Sequence, residues 1–426
     1  LHTALRGMSA HATAIAWAPE AGPAPGPWLR LAALCGALAT GLAVASGALH
    51  LGLAHRALVV VALPPLVALV LAGRFAYGRL LRPSATALAL VVAESALGMV
   101  GALAGRSGWL AGLHLALAAL AFAATLVAAA TCYRGQTLPA GPWRDYVALT
   151  KPRIMLLLLV TAAAGMFAGA RGVPDLGKLA ALIAGGALAS GGASALNHFL
   201  DRDIDALMGG RTADRPLVAG RVAPPRALKF GLVLSAFSFV LLASLVNVLA
   251  ALLAAVGSLG YVLVYTSWLK RSTPQNIVIG GAAGAVPPLV GWAAARGDLT
   301  LPALFLFLIV FFWTPPHFWA LALLIKRDYA AAGIPMLPVV RGDRETARQI
   351  LRYSLLLAAV TALPFLWHSA GGFYLGAALL LDACLIVLAH RLWRRTTPAR
   401  ARLLFHFSLL YLALLFAALA VDPLIG

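Results

Sequence analysis

A series of about thirteen apolar runs, from Leu29 to the C-terminus, constrains the fold of this chain more than any other feature. Each run holds roughly 18 to 23 residues, the length that a helix needs to cross about 30 Å of hydrocarbon. A hydrophobic fraction of 62% and only 11% charged residues exceed what a soluble chain of 426 residues needs for its core. We therefore expect an all-α, polytopic membrane protein.

One polar stretch, residues 133–142, interrupts the series and is rich in turn-forming residues, so we predict a domain boundary there. Four runs precede it and nine follow it, which predicts a four-helix transmembrane bundle (residues 28–133) and a nine-helix bundle (residues 134–426). Residues 1–27 are rich in Ala, Pro and Gly without a signal-peptide pattern, and we expect them to be disordered. The runs lie near residues 29–48, 57–73, 85–104, 109–131, 154–170, 177–199, 228–246, 248–265, 276–293, 301–325, 351–370, 372–391 and 403–420.

The 33 Lys and Arg residues fit this number of spans, because cytoplasmic loops collect basic side chains. With the N-terminus in the cytoplasm, all but five of them fall in cytoplasmic loops. The same topology places the polar motifs described below at the cytoplasmic face of the cell membrane. The five exceptions are Arg56, Arg106, Arg171, Lys178 and Arg296.

The net charge of +19 has this topological explanation and does not indicate a nucleic-acid partner. Cys35, Cys132 and Cys384 lie far apart, without the spacing of a zinc site or of a disulfide framework. We therefore expect the lipid bilayer as the surroundings of the chain, no nucleic acid, and no cysteine-based metal site.

The polar stretch 197–217 holds four of the 14 acidic residues of the chain. Asn197, Asp201 and Asp205 are spaced i, i+4 and i+8, so on a helix they project from one face, roughly 6 Å apart along the axis. Such a ladder of oxygen ligands suits Mg²⁺, which is normally shared between one or two carboxylates and the phosphates of a substrate. The forked guanidinium groups of Arg211 and Arg215 suit phosphate oxygens.

The pattern N-x-x-x-D-x-x-x-D followed by R-T-x-x-R-P-L resembles the first motif of the UbiA-type intramembrane prenyltransferases, and within them that of the heme O synthases (protoheme IX farnesyltransferases). The resemblance covers roughly residues 140–426. Four further segments resemble the same branch, and they are residues 149–153, 265–284, 315–319 and 326–340.

This resemblance implies a nine-helix fold and a Mg²⁺-dependent enzyme that transfers a farnesyl group from farnesyl diphosphate to a vinyl group of heme b, giving heme O. Ionisation of the allylic diphosphate would be followed by attack of the vinyl carbon and capture of the cation by water. A metal ion and cationic side chains would offset the negative charge that builds on the departing diphosphate.

The ladder residues Asn197, Asp201 and Asp205 are the expected metal ligands. Asp328 is a further candidate, either as a metal ligand or as a group that orients Lys326 and Arg327. It stands alone where the wider family has a second D-x-x-x-D motif, a departure that the heme O synthase branch shares. The expected diphosphate contacts are Arg211, Arg215, Lys270, Arg271, Lys326, Lys151 and Arg153.

Simpler interpretations exist for the basic pair at residues 151 and 153 and for the remaining acid of the ladder helix, Asp203. The basic pair at residues 151 and 153 begins a helix, where it is usually a topology signal. Asp203 lies on the other face of the ladder helix by the same geometry, and we expect it to pair with Arg202 or Arg211.

The candidates for the acceptor pocket are His317 and Tyr329. His317 lies inside an apolar span after Pro315 and Pro316, which we expect to break the helix locally. A packed, hydrogen-bonded histidine is the alternative interpretation. Asp382, in a later span, is costly in lipid and is expected to pair inside the bundle.

The first bundle contains two histidines, His55 and His114, that fall toward the same leaflet. Such a pair can bind a porphyrin iron inside a four-helix bundle. Residues 29–132 resemble one half of heme A synthase, which implies a bound heme with these ligands and heme A synthase as a partner. The second half of that family is missing, so packed or interfacial histidines are the alternative. Glu94, in the middle of a span, is expected to be protonated or paired.

Two other functions fit parts of the sequence. Broken spans with buried charges also occur in transporters, but a transporter places its charged site near the bilayer midplane, whereas these acids cluster at one face. A related prenyltransferase would act on a quinone or another aromatic acceptor. The lone Asp328 and the run A-G-I-P-M-L-P (residues 332–338) argue against that acceptor.

Overall fold

The computed structural model describes residues 25–48, 52–104, 108–133 and 142–425, and within these ranges it contains helices and no strand. Twelve helical segments of this part are long and apolar enough to cross a membrane. The predicted thirteenth span is also helical, but its apolar stretch, Leu117–Ala129, is shorter. The chain is thus an all-α, multi-pass membrane protein, as predicted. Residues 1–24 of the predicted disordered segment lie outside the described residues. Residues 134–141 of the predicted domain boundary also lie outside them.

Four helices form the first bundle. Each packs on the next along the chain, and the fourth closes the bundle by packing on the first. The core between them consists of small and branched apolar side chains, among them Ala37, Leu66, Leu69 and Val91. The four helices are α1 (Pro27–Ala48), α2 (Gly52–Phe75), α3 (Gly78–Ala104) and α4 (Gly108–Tyr133).

The second bundle has nine spans, several of which are made of two consecutive helices. Short helices on the polar side connect them. The helices are α5 (Trp143–Thr150), α6 (Pro152–Ala170), α7 (Leu176–Leu200), α8 (Arg202–Leu207), α9 (Pro224–Leu245), α10 (Val248–Leu259), which continues as a π-helix (Gly260–Leu269) into α11 (Lys270–Ser272), α12 (Asn276–Gly284), α13 (Pro287–Arg296), α14 (Leu301–Leu324), α15 (Lys326–Ala331), α16 (Leu337–Thr361), α17 (Leu363–Leu366), α18 (Gly372–Arg394) and α19 (Pro398–Ile425).

Small residues let the helices of the second bundle approach one another closely. α6 and α13 cross at Gly165 and Gly291, where a Cβ atom would overlap the backbone oxygens of Pro288 and Ala162. α7 packs on α9 in the same way through Gly192. Because lipid gives helices no hydrophobic drive to associate, such close van der Waals contact is what holds a membrane bundle together.

The helix α14 continues through Pro315 and Pro316, so the expected local break is wrong. Proline is tolerated in transmembrane helices because neighbouring helices and side chains satisfy the carbonyl groups that it frees. This helix is the most buried of the spans in the described part of the chain, and it supplies much of the largest apolar core.

The two bundles contact each other through α4 and α9. Phe122 and Phe239 meet edge to face there, with 6.3 Å between the ring centroids. The helix α9 packs in turn on α7, which ends at the polar stretch singled out in the sequence. The first bundle therefore supports the pair of helices that carries the candidate site.

Candidate active site

The predicted oxygen ladder lies at the junction of α7 and α8. α7 ends at Leu200 and Asp201 separates it from α8. Helical hydrogen bonds continue across this junction, because Asp201 N donates to Asn197 O and Asp205 N donates to Asp201 O, each at 2.8 Å. The three side chains therefore share one face, as predicted, and none is more than 3% exposed.

The ladder is fixed by hydrogen bonds from its first member. Asn197 Nδ2 donates to Asp201 Oδ2 at 2.8 Å and to Thr266 Oγ1 at 3.1 Å. The amide nitrogen of Asn197 thus has its hydrogen-bond partners within the protein. The amide oxygen, Oδ1, faces Lys151.

Three cations from different parts of the chain surround the ladder. Lys151 Nζ donates to Asn197 Oδ1 at 2.8 Å, and Lys270 Nζ donates to Asp201 Oδ2 at 2.6 Å. Arg215 Nη1 lies 2.5 Å from Asp205 Oδ2. All three are among the diphosphate contacts expected from the sequence, and the fold brings them to the ladder.

This arrangement carries more positive than negative charge. Two carboxylates meet three cationic side chains. The crowding of positive charge affects Lys151, which lies just outside the membrane spans. Burial, reinforced by the neighbouring Arg215 and Lys270, lowers the pKa of Lys151 to about 7. A bound polyanion such as a diphosphate would relieve the repulsion among the cations, so the site suits an anionic ligand.

The ladder also fits a hard divalent cation. Asp201 Oδ1 and Asp205 Oδ1 are buried and have no hydrogen-bond partner in the described part of the chain. A buried carboxylate oxygen without a donor is costly unless a cation binds it. Asn197, Asp201 and Asp205 thus offer oxygen ligands of the kind that Mg²⁺ takes from proteins.

The wall opposite the ladder is a π-helix that the sequence analysis missed. Thr266 Oγ1 donates to Tyr261 O five residues back, at 2.9 Å, and Tyr261 stacks on Tyr265 with 5.6 Å between the ring centroids. This insertion turns Thr266, which is fully buried, toward Asn197. π-Helices occur often at functional sites. The polar Thr266 within an apolar span was the available signal for this side of the site.

His198 is a second residue that the sequence analysis missed. It is 3% exposed, it follows the first ladder residue, and neither ring nitrogen has a hydrogen-bond partner among the described residues. Its position next to Asn197 in a polar motif was the available signal.

Two basic candidates lie away from the ladder, and a third has no described side chain. Arg271 forms a two-pronged ion pair with Asp203, at 2.7 and 2.8 Å, so the expected partner of Asp203 is corrected. This hydrogen bond lowers the pKa of Asp203 to about 2. Arg153 is exposed at the start of α6. The side chain of Arg211 lies outside the described part of the structure.

The second acidic motif lies on α15. Lys326 Nζ donates to Asp343 Oδ1 at 2.8 Å. Asp328 is half-buried, and its carboxylate receives no hydrogen bond from a described residue. Tyr329 packs against the largest apolar core. The ion pair of Lys326 does not involve the ladder, and the roles of these three residues stay predictions.

His317 is packed between aromatic rings of α14 and α19. It stacks on Trp313 at 4.4 Å and on Phe405 at 4.8 Å between centroids. Its Nδ1 lies 2.8 Å from Ser408 Oγ, and the Ser408 hydroxyl already donates to Phe405 O. The hydroxyl therefore accepts from Nδ1–H, which leaves the lone pair of the imidazole on Nε2. The packed, hydrogen-bonded interpretation is confirmed, and the acceptor contact stays a prediction.

Asp382 is paired inside the second bundle, as predicted. It accepts hydrogen bonds from Tyr411 Oη at 2.6 Å and from Thr361 Oγ1 at 2.7 Å. These hydrogen bonds link three spans, α16, α18 and α19. The three residues lie far from the ladder in sequence.

The two histidines of the first bundle are neighbours. The rings of His55 and His114 lie 6.4 Å apart, with 77° between their planes. Glu94 lies against His114, which confirms that this acid is paired. A heme bound to these histidines stays a prediction.

Comparison with known proteins places the second bundle. Residues 158–416 match the model of the UbiA prenyltransferase family. A protoheme IX farnesyltransferase of Thermus thermophilus is 54% identical over 280 residues, which are 66% of this chain and 46% of that protein. One from Symbiobacterium thermophilum is 53% identical over 281 residues, 66% of this chain and 94% of the relative.

A structural relative is a UbiA homolog from Archaeoglobus fulgidus bound to GPP and Mg²⁺. It superposes with a TM-score of 0.50 at 19% identity, over 65% of this chain and the whole of that one. The similarity supports the fold. The chain spans about half the length of the Thermus relative. The family model nevertheless matches more than half of this chain, residues 158–416. The chain therefore belongs to the UbiA prenyltransferase family.

Proposed function

We propose that this chain transfers a farnesyl group from farnesyl diphosphate to a vinyl group of heme b, giving heme O and diphosphate, with Mg²⁺ as its cofactor. The observation that carries the proposal is the buried ladder of Asn197, Asp201 and Asp205 with three cations around it. The names of the relatives at 53–54% identity support heme as the acceptor. The Archaeoglobus homolog with GPP and Mg²⁺ supports the donor and the metal.

The cations act on the leaving group. Breaking the allylic C–O bond builds negative charge on the diphosphate, and Lys151, Lys270 and Arg215 are held where they can offset it. Their positions are set in advance by the ladder, so little reorganisation is needed when the charge develops. When bound by the ladder oxygens, Mg²⁺ supplies a Lewis acid for the same diphosphate.

The acceptor is proposed to lie along α14, near His317 and Tyr329. Trp313, Phe405 and His317 form a stack of flat rings, of which Trp313 and His317 are buried, and a planar macrocycle stacks on aromatic rings of this kind. The vinyl carbon attacks the allylic cation, and water captures the cation that results. Asp328 and Lys326 complete the proposed site from α15, as a metal ligand and a diphosphate contact.

The ladder is proposed to face the cytoplasm from the cell membrane, with the N-terminus on the same side. The distribution of basic residues between loops supports this orientation. A water-soluble diphosphate headgroup would then arrive from the cytoplasm while its isoprenoid tail stays in lipid.

The test is to incubate the purified membrane protein with heme b, farnesyl diphosphate and Mg²⁺ and to search for farnesylated heme by mass spectrometry. Product should form with the native chain and be lost in Asp201→Asn. Asp203→Asn is the matched control, because Asp203 lies two residues away but outside the ladder, and it should keep the activity. Prenylation of a phenolic acid instead of heme would overturn the heme assignment. Solute uptake into vesicles that depends on Asp201 would favour a transporter.

A further inference from the structure

Three metal-ligating side chains meet inside the first bundle, apart from the prenyltransferase ladder. His55 comes from α2, Glu94 from α3 and His114 from α4, and one ligand atom of each lies within 4.8 Å of the other two. We infer that these side chains bind one divalent transition-metal ion directly, without a porphyrin. The ion would join three of the four helices of the bundle.

The separation of two of the three ligand atoms matches direct coordination of one ion. His114 Nε2 and Glu94 Oε1 are 3.4 Å apart. That separation is what two ligands have when each lies about 2.1 Å from one ion in tetrahedral geometry. Little movement of these two side chains is therefore needed to close around a metal.

His55 is oriented for the same task by its second nitrogen. Its Nδ1 lies 2.8 Å from Ala43 O, and because a carbonyl only accepts, Nδ1 carries the proton. The lone pair of the ring is then on Nε2. A backbone carbonyl that fixes the tautomer in this way is the usual support of a metal-bound histidine.

The surroundings are costly without a cation. Glu94 is 6% exposed and lies in the middle of a transmembrane helix, where a carboxylate needs a partner. Gly98 makes room for the imidazole, since a Cβ atom at that position would come within 2.9 Å of His114 Cε1.

A small cavity touches the cluster at Glu94. Glu94 forms part of its wall, together with Thr40, Val59, Val91 and Ala118. Two imidazoles and one carboxylate are a donor set that zinc and related late first-row ions take from proteins. A porphyrin would have to enter between the two imidazoles and displace Glu94 from His114.

The test measures metal binding by the full chain, purified in detergent with an affinity tag that lacks histidine. The metal-free protein is titrated with Co²⁺, and the visible d–d absorption and the bound metal per chain are recorded. With excess Mg²⁺ present to occupy the ladder, we expect one Co²⁺ per chain in the native protein. Glu94→Gln should weaken Co²⁺ binding by about tenfold or more. The exposed His390 lies outside the cluster, so His390→Gln is the control and should bind as the native chain does.

A second readout separates loss of binding from loss of folding. Each variant is melted in the same Mg²⁺ buffer before and after addition of Co²⁺, and only chains with an intact cluster should gain further thermal stability. Equal Co²⁺ affinity in the native chain and in Glu94→Gln would overturn the inference, as would the absence of a stoichiometric site. Heme that binds through His55 and His114, displaces Co²⁺ and ignores Glu94→Gln would also overturn it.

Discussion

Lys270 and Arg271 are adjacent in the chain, yet one forms a buried ion pair and the other an exposed one. Lys270 is 9% exposed, and its Nζ lies 2.6 Å from Asp201 Oδ2. Replacing Lys270 by Met leaves a buried carboxylate without this cation, a loss that typically costs about 3–5 kcal/mol. In metal-free buffer we expect the melting temperature of Lys270→Met to fall by roughly 5–10 °C.

The neighbouring variant Arg271→Met is the control. Arg271 pairs with Asp203, whose side chain is 60% exposed, and exposed pairs contribute only about 0–1 kcal/mol. We expect little change in its melting temperature.

The rate of farnesyl transfer should also fall more in Lys270→Met than in Arg271→Met. Loss of one cation at the leaving diphosphate lowers the rate by about 100-fold, so Lys270→Met should be slow while Arg271→Met stays close to native. Unfolding is followed by tryptophan fluorescence, and turnover by the rate of farnesyl transfer to heme b. Similar losses in both variants would refute the argument that burial of the pair decides its importance.

Three further predictions concern packing, buried polarity and pH. Gly291→Ala should strongly reduce the yield of folded protein, because the added Cβ overlaps the Ala162 carbonyl, whereas Gly284→Ala, with open space around it, should fold normally in the same expression assay. Asp382→Ala should lower the melting temperature, because it leaves the buried Tyr411 hydroxyl without its acceptor at a cost of about 1–3 kcal/mol, whereas the Thr361 hydroxyl keeps the Ala358 carbonyl. The affinity for farnesyl diphosphate should fall as the pH rises through about 7, where Lys151 loses its proton, and in Lys151→Arg this fall should move to much higher pH.

The number of spans and the ladder were predictable because both depend on local periodicity. Apolar runs long enough for the membrane became helices, and spacing by four residues put Asn197, Asp201 and Asp205 on one buried face. Proline misled the prediction for α14, since a packed bundle satisfies the carbonyls that proline frees.

The cationic part of the site could not be ranked from sequence, because it depends on contacts between distant segments. Lys151 meets Asn197 across 46 positions, and Lys270 meets Asp201 across 69. Lys270 turns inward and Arg271 outward although they are neighbours. The π-helix that precedes them sets this register, and hydrophobic periodicity does not distinguish it from an α-helix.

The central claim, that the ladder holds a diphosphate through Mg²⁺, is tested most directly by the binding of farnesyl diphosphate with and without Mg²⁺. Isothermal titration of the native chain should show that Mg²⁺ raises the affinity by about tenfold or more, or about 1.4 kcal/mol. The gain should vanish in Asp205→Asn and persist in Asp203→Asn. Equal affinity with and without Mg²⁺ in the native chain, or an undiminished gain in Asp205→Asn, would contradict the account.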